Sequence, residues 1–145
     1  MPSSLPIANC VEVGLMAGFA SYDYLKDTVG LLDTVGFDNL WVGDHIAFTS
    51  PIFEPLLQLA QAAALSPRLK VGTAVYLLSL RSAANAAKQA ASVEHLSDGR
   101  FVFGVGVGGE FPTEFEACGV PVGKCGARLA EGVDVTRMLC RGEPC

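Results

Sequence analysis

An apolar run, "LWVG" (Leu40–Gly43), ends on Asp44 and His45. An imidazole at such an exit can titrate near neutral pH or donate a hydrogen bond, and a carboxylate beside it can orient the ring. That is equipment for acid–base chemistry, although a histidine that caps the next helix or bonds a loop carbonyl accounts for the same pair. Further along, "GVGVGG" (Gly104–Gly109) matches G-x-G-x-x-G. That pattern can let backbone approach a pyrophosphate at a helix N-terminus. Glycines there can also thin a strand so that a core side chain or the flat ring of a ligand packs close to it. Glu110, Glu114 and Glu116 follow in "EFPTEFE". A solvated acidic loop is the plain reading of these three, with Glu110, directly after the glycines, the best placed for chemistry. His95 falls near the end of a helical stretch, where a cation suits the macrodipole, and reads as structural.

The elements that must position these groups alternate along the chain. "VEVGL" (Val11–Leu15) reads as a strand, followed by a helix with Leu25, Val29, Leu32 and Val35 on one face and a stop at Gly36. Phe37–Gly43 reads as the second strand. Ser50-Pro51 then suggests an N-cap and first helical position. That helix carries Phe53, Leu56, Leu57, Ala60 and Ala64 on one face and ends before Pro67. Leu69–Val75 is the third strand and Ser82–Leu96 an alanine-rich helix. Phe101–Gly108 is the fourth strand. A Gly/Pro-rich loop leads to a last helix marked by Leu129, Val133, Thr136 and Cys140, which stops near Gly142 and Pro144. Strands apolar on both faces, alternating with helices, define an α/β class with a parallel sheet. Two architectures satisfy this: an open doubly wound sheet, or part of a (β/α) barrel. Both bind ligands at the C-terminal ends of their strands, where Asp44 and His45 sit. In the first, the G-x-G-x-x-G pattern would be out of place, since it follows the fourth strand and opens no amphipathic helix directly.

Composition narrows the partners. The chain has 145 residues, a length suited to one domain spanning residues 1–145. Ten basic residues stand against 15 acidic ones, with no Lys/Arg cluster to suit nucleic acid or an anionic membrane. No apolar run approaches the roughly 20 residues of a membrane span. "MPSSLPIANC" lacks a basic region followed by an apolar core, so no secretory signal is read there. Cys10, Cys118, Cys125, Cys140 and Cys145 form no CxxC pair. They read as free thiols of a cytoplasmic protein, with no metal site and no disulfide framework.

The stretches "GFDNLWVGDHI", "LKVGTAVYLLSLRSAANAAKQAASVEHLSDGRFVFGVGVGGE" and "GVPVGKCGARLAEG" together resemble the bacterial luciferase-like monooxygenase family. Within it they are most similar to the branch that uses a deazaflavin coenzyme, and the likeness runs from about Val11 to Pro144. The resemblance implies a TIM (β/α)8 barrel, of which this chain would supply a (βα)4 half with parallel strands in order 1-2-3-4. It implies an oxidoreductase or monooxygenase using coenzyme F420 or FMN, with "GDHI" followed by "GTAV" favouring the deazaflavin. By the same resemblance His45 is a catalytic histidine beside the ring with Asp44 next to it, and Glu110 lies near an acidic proton donor. Ala74 and Val75 would form a non-prolyl cis peptide behind the ring, and Gly106, Val107 and Gly108 would run along its edge. Relatives run to about twice this length, and the remaining half normally supplies much of the phosphate binding, so the chain reads as truncated. Cys125, Ala130 and Cys140 depart from the arginine, acidic residue and tryptophan common in relatives. A catalytically silent half-barrel that pairs with a copy of itself, as a homodimer or larger assembly, is the alternative reading. Either way the implied partners are a coenzyme and a small-molecule substrate.

Overall fold

The computed structural model describes residues 10–144; the N-terminal stretch read for a secretory signal, and Cys145, lie outside them. Its main sheet is parallel, in the order β1 (Gly14–Ala17), β2 (Asn39–Val42), β3 (Lys70–Thr73) and β5 (Phe101–Val102). The expected order 1-2-3-4 is therefore present. The first strand begins later than its valines suggest. Val11 and Val13 are exposed. The Asp38 carboxylate accepts the Val13 N–H at 2.8 Å, which caps the end of the ladder and leaves Gly14 opposite Asn39 as the first register pair.

Helix α1 (Tyr22–Val35) starts where Ser21 accepts the Tyr24 N–H at 3.3 Å. It buries Leu25, Thr28, Val29 and Leu32 at helical spacing and ends at Gly36, whose φ of +80° is the left-handed conformation that stops helices cheaply only at glycine. Helix α2 (Pro55–Leu65) begins at Glu54-Pro55 and not at the earlier Ser50-Pro51. The Phe53 N–H donates to the Phe19 carbonyl at 2.9 Å, holding residues 51–53 outside the helix, and the Glu54 side chain then caps the Leu57 N–H at 2.9 Å. The later start rotates the buried face to Leu56, Leu59, Ala62 and Ala63, so Leu57 points to solvent. Helix α3 (Ala83–Leu96) is capped by Ser82 as expected and lays Ala86, Ala87, Ala90 and Val93 inward.

The third and fourth strands are each broken at the same level. β3 gives way at Ala74–Val75, a cis peptide, and resumes as β4 (Tyr76–Leu77); β5 gives way at Phe103-Gly104 and resumes as β6 (Val105–Gly106). β4 and β6 then pair with each other. The Gly104 carbonyl ties the two breaks together, accepting from Tyr76 N at 2.8 Å and from Thr73 Oγ1 at 2.7 Å. The single fourth strand expected over Phe101–Gly108 is thus two short pieces. The segment expected as loop after it holds helix α4 (Pro112–Ala117), opened by Pro112, and leads through a 3-10 turn to α5 (Cys125–Cys140). One core, including Leu25, Leu40, Leu59, Val71 and Tyr76, lies between sheet and helices. A smaller one of Leu77, Leu80, Phe115 and Val120 fixes α4 to β4. Among the described residues no helix is long and apolar enough to cross a membrane.

Candidate active site

A cleft of about 450 Å³ opens at the C-terminal ends of the strands. Asp44 and His45 enter it from β2, Ala74 and Val75 from the break after β3, and Val107, Gly108 and Glu110 from the segment after β6. Seven of the eight candidate residues meet there; Gly106 alone does not line the cleft. It lies beneath Val75, whose Cγ2 occupies the space a side chain at position 106 would take. Gly104 likewise faces the Thr73 carbonyl oxygen. These two glycines thin the strand for its own neighbours. The helix nearest the G-x-G-x-x-G pattern is the six-residue α4, which begins beyond Glu110 and Phe111, so a dinucleotide turn is not formed.

The two members of the Asp44-His45 pair face different tasks. The Asp44 carboxylate is buried and turned into the protein, where it accepts the Leu77 N–H at 2.8 Å and forms a two-pronged ion pair with Arg81, with Nη2 at 2.9 Å from Oδ1. Burial alone would lower the Arg81 pKa, but the Asp44 partner outweighs it and the guanidinium stays charged. Arg81 also lies 4.2 Å over the Tyr76 ring. Asp44 therefore clamps the end of β2 to β4 and sets the position from which His45 departs.

The carboxylate that orients His45 is Glu114, not Asp44. Glu114 is 2% exposed, where a solvated loop residue was expected. Its Oε2 lies 3.1 Å from His45 Nδ1, and its Oε1 accepts the N–H groups of Ile46 at 2.6 Å and Ala47 at 3.0 Å. Burial pushes this carboxyl up, but the Ala47 N–H, the His45 ring and the Ile46 N–H together outweigh it and hold it below the usual carboxylate range. The ring is packed as well as bonded. Phe48 stacks on it with centroids 4.1 Å apart and planes within 9°, and Phe111 meets both rings edge-on at 5.2 Å. Sequence reasoning ranked Glu110 above Glu114. The signal it passed over was Phe115, an aromatic beside Glu114 that buries the helix carrying it.

Glu110 sits exposed at the cleft rim. Val75 is 41% exposed on the cleft floor, and bare backbone continues the surface at Gly43 and Gly109. A side chain at Gly43 would meet only the Met16 methyl at 3.5 Å, and one at Gly109 nothing within 4 Å. A flat, largely apolar group fits such walls, with the His45 ring as the ionisable group beside it. Among the described residues no cluster of three or more His, Cys, Asp or Glu is arranged to hold a metal ion.

An imidazole fixed by a buried carboxylate thus stands at the C-terminal ends of parallel strands, the end at which TIM barrels place their ligand sites. The family model described as luciferase-like monooxygenase matches residues 1–145, and the chain belongs to that family. The 4-hydroxyprotoasukamycin monooxygenase of Streptomyces nodosus subsp. asukaensis is 35% identical over 113 residues, which are 77% of this chain and 30% of that protein. Two solved structures share the fold. One is the oxygenating constituent of 3,6-diketocamphane monooxygenase from Pseudomonas putida in complex with FMN, with a TM-score of 0.79 at 20% identity over 90% of this chain and 39% of that one. The other is an F420-dependent secondary alcohol dehydrogenase in complex with an F420–acetone adduct, with a TM-score of 0.76 at 23% identity over 88% and 41%. The chain spans about a third of the length of the curated relatives it matches.

Proposed function

We propose that this chain forms the ring-binding side of a cytoplasmic flavin- or deazaflavin-dependent oxidoreductase, with His45 as its acid–base group. The observation that carries this reading is the cleft itself: an imidazole fixed by Glu114, Phe48 and Phe111 stands beside Val75 and bare glycine backbone. Ala74, Val75, Val107 and Gly108 would hold the ring of coenzyme F420 or FMN, with Glu110 at the rim as a second proton-handling group. Such a coenzyme supplies hydride transfer or oxygen activation when bound. The chain's own residues orient it, exclude water from one side and hold a proton at His45. The pairing of "GDHI" with "GTAV" favours the deazaflavin. The four cysteines among the described residues are all free, which supports a reducing compartment.

The test is a titration of the chain with F420 and with FMN, followed by fluorescence and absorbance. Saturable but weak binding is expected, because among the described residues that line the cleft no lysine or arginine is present to meet a phosphate. Absence of saturation with either coenzyme up to about 1 mM, the weak end of specific affinity, would overturn the reading. In any assembly that turns over, His45→Ala should lower the redox step by about 10²-fold or more.

A second reading, pairing with another copy of the chain, is favoured by the sheet edges. The outer sides of β1 and β5 have no strand partner among the described residues, and Met16 and Val102 on them are exposed.

A further inference from the structure

We infer that Glu114 fixes His45 as the tautomer protonated on Nδ1, so that Nε2 meets the cleft as a hydrogen-bond acceptor and base, selecting a ligand that presents an O–H or N–H there. The role of the cleft rests on the function proposed above; the tautomer does not. The argument is one of donors and acceptors. Glu114 Oε1 is occupied by two backbone N–H groups, from Ile46 and Ala47. Oε2 faces His45 Nδ1 at 3.1 Å. An ionised carboxylate only accepts, so the neutral ring must place its one proton on Nδ1. The carboxyl is buried yet held below the usual carboxylate range, which keeps it in the accepting form. Phe48 stacked on the ring and Phe111 against its edge oppose the ring flip that would exchange the two nitrogens. Nε2 has no hydrogen-bond partner among the described residues, and His45 lines the cleft.

The consequence is directional. When a ligand's O–H or N–H bond breaks toward His45, the new N–H bond forms at Nε2. The ring becomes imidazolium, and its positive charge lies against the Glu114 carboxylate. A ligand that offers only a carbonyl at that place meets a lone pair and is disfavoured until the ring takes up a second proton. Both Glu114 oxygens are taken up by the Ile46 and Ala47 N–H groups and by His45, so Glu114 acts through His45 as a positioning residue.

The substitution Glu114→Gln separates this role from packing. Glutamine keeps the shape, and its carbonyl oxygen still satisfies the Ile46 and Ala47 N–H groups. Its NH₂ then faces His45 Nδ1, which must become the acceptor, so the proton moves to Nε2. The chain has two histidines, and His95→Gln assigns the signals in long-range ¹H–¹⁵N spectra of the full chain labelled at histidine. At a pH where the ring is neutral, the wild type should show the protonated nitrogen at Nδ1, and Glu114→Gln should show it at Nε2. A wild-type ring protonated on Nε2 overturns the inference whether or not the variant folds. So does a folded Glu114→Gln variant in which the proton stays on Nδ1. A coenzyme titration that fails while the tautomer exchange is seen would remove the proposed function and leave this inference standing.

Discussion

At position 114 a single carboxylate accepts from two backbone amides and a ring nitrogen while its residue is 2% exposed. Hydrogen bonds to a charged acceptor are each worth about 1.5–3 kcal/mol, and an unmet buried donor costs a similar amount. Glu114→Gln keeps the two amide bonds, reverses the third and loses the charge, so it should destabilise the fold by about 2 kcal/mol at neutral pH. The dependence on pH has a definite sign. The folded carboxyl lies below its ordinary value of 4.5, so its contribution is fully present above that value and is lost as pH falls through the lower folded one. Urea unfolding of the wild type and of Glu114→Gln should therefore differ at neutral pH and converge as pH falls below 4.5. A difference that persists unchanged well below pH 4.5 would mean that the Glu114 charge does not contribute to it.

The informative feature among the elements is the shared break of the third and fourth strands. A continuous β3 and β5 would carry the ladder past the cleft floor; the interruption turns Val75 outward and lets Gly104 close against Thr73. The position of Gly104 tolerates no side chain, because a Cβ there would run into the Thr73 carbonyl oxygen, a backbone atom that cannot swing away. Gly104→Ala should cost about 3 kcal/mol, the upper range for overpacking, read as a lower urea midpoint with unchanged slope. A loss under about 0.5 kcal/mol, the ordinary scatter of neutral surface changes, would show that the two strands sit farther apart than this. The short helix α4 matters for a related reason. Phe115 on it packs with Leu77, Leu80 and Val120, and this small core carries Glu114 to His45.

Among the described residues the main sheet has two edges without a strand partner, β1 and β5. Beside β5 a groove of about 810 Å³ runs between α3 and α5, with Phe101 and Phe103 on its floor. On the opposite edge Met16 is 61% exposed. Apolar edges of this kind recruit further strands, and a ring of this type holds eight. Two copies joined edge to edge would supply that number with two-fold symmetry and bring two His45 rings to one mouth. Sedimentation of the chain at about ten to a hundred times micromolar concentration, where associations of moderate affinity saturate, should show a dimer or larger species. A compact monomer throughout that range would refute the pairing.

The sequence by itself determined the alternation of strands and helices, the start of α3 at Ser82 and the stop of α1 at Gly36. It also placed Asp44 and His45 at a strand exit. Each of these follows from periodicity, capping or φ preference, which depend on residues within a turn or two of one another. The choice between Ser50-Pro51 and Glu54-Pro55 was already beyond that range, because it turned on a hydrogen bond from Phe53 to Phe19. The partners within the site were farther still. Asp44 meets Arg81 across 37 positions, and His45 meets Glu114 across 69. Three glutamates in one loop look alike in composition, and which of them is buried depends on how Phe115 packs α4 against β4. A buried carboxylate must find donors wherever the folded chain leaves them unmet, and only the assembled tertiary structure sets two such donors and an imidazole around Glu114.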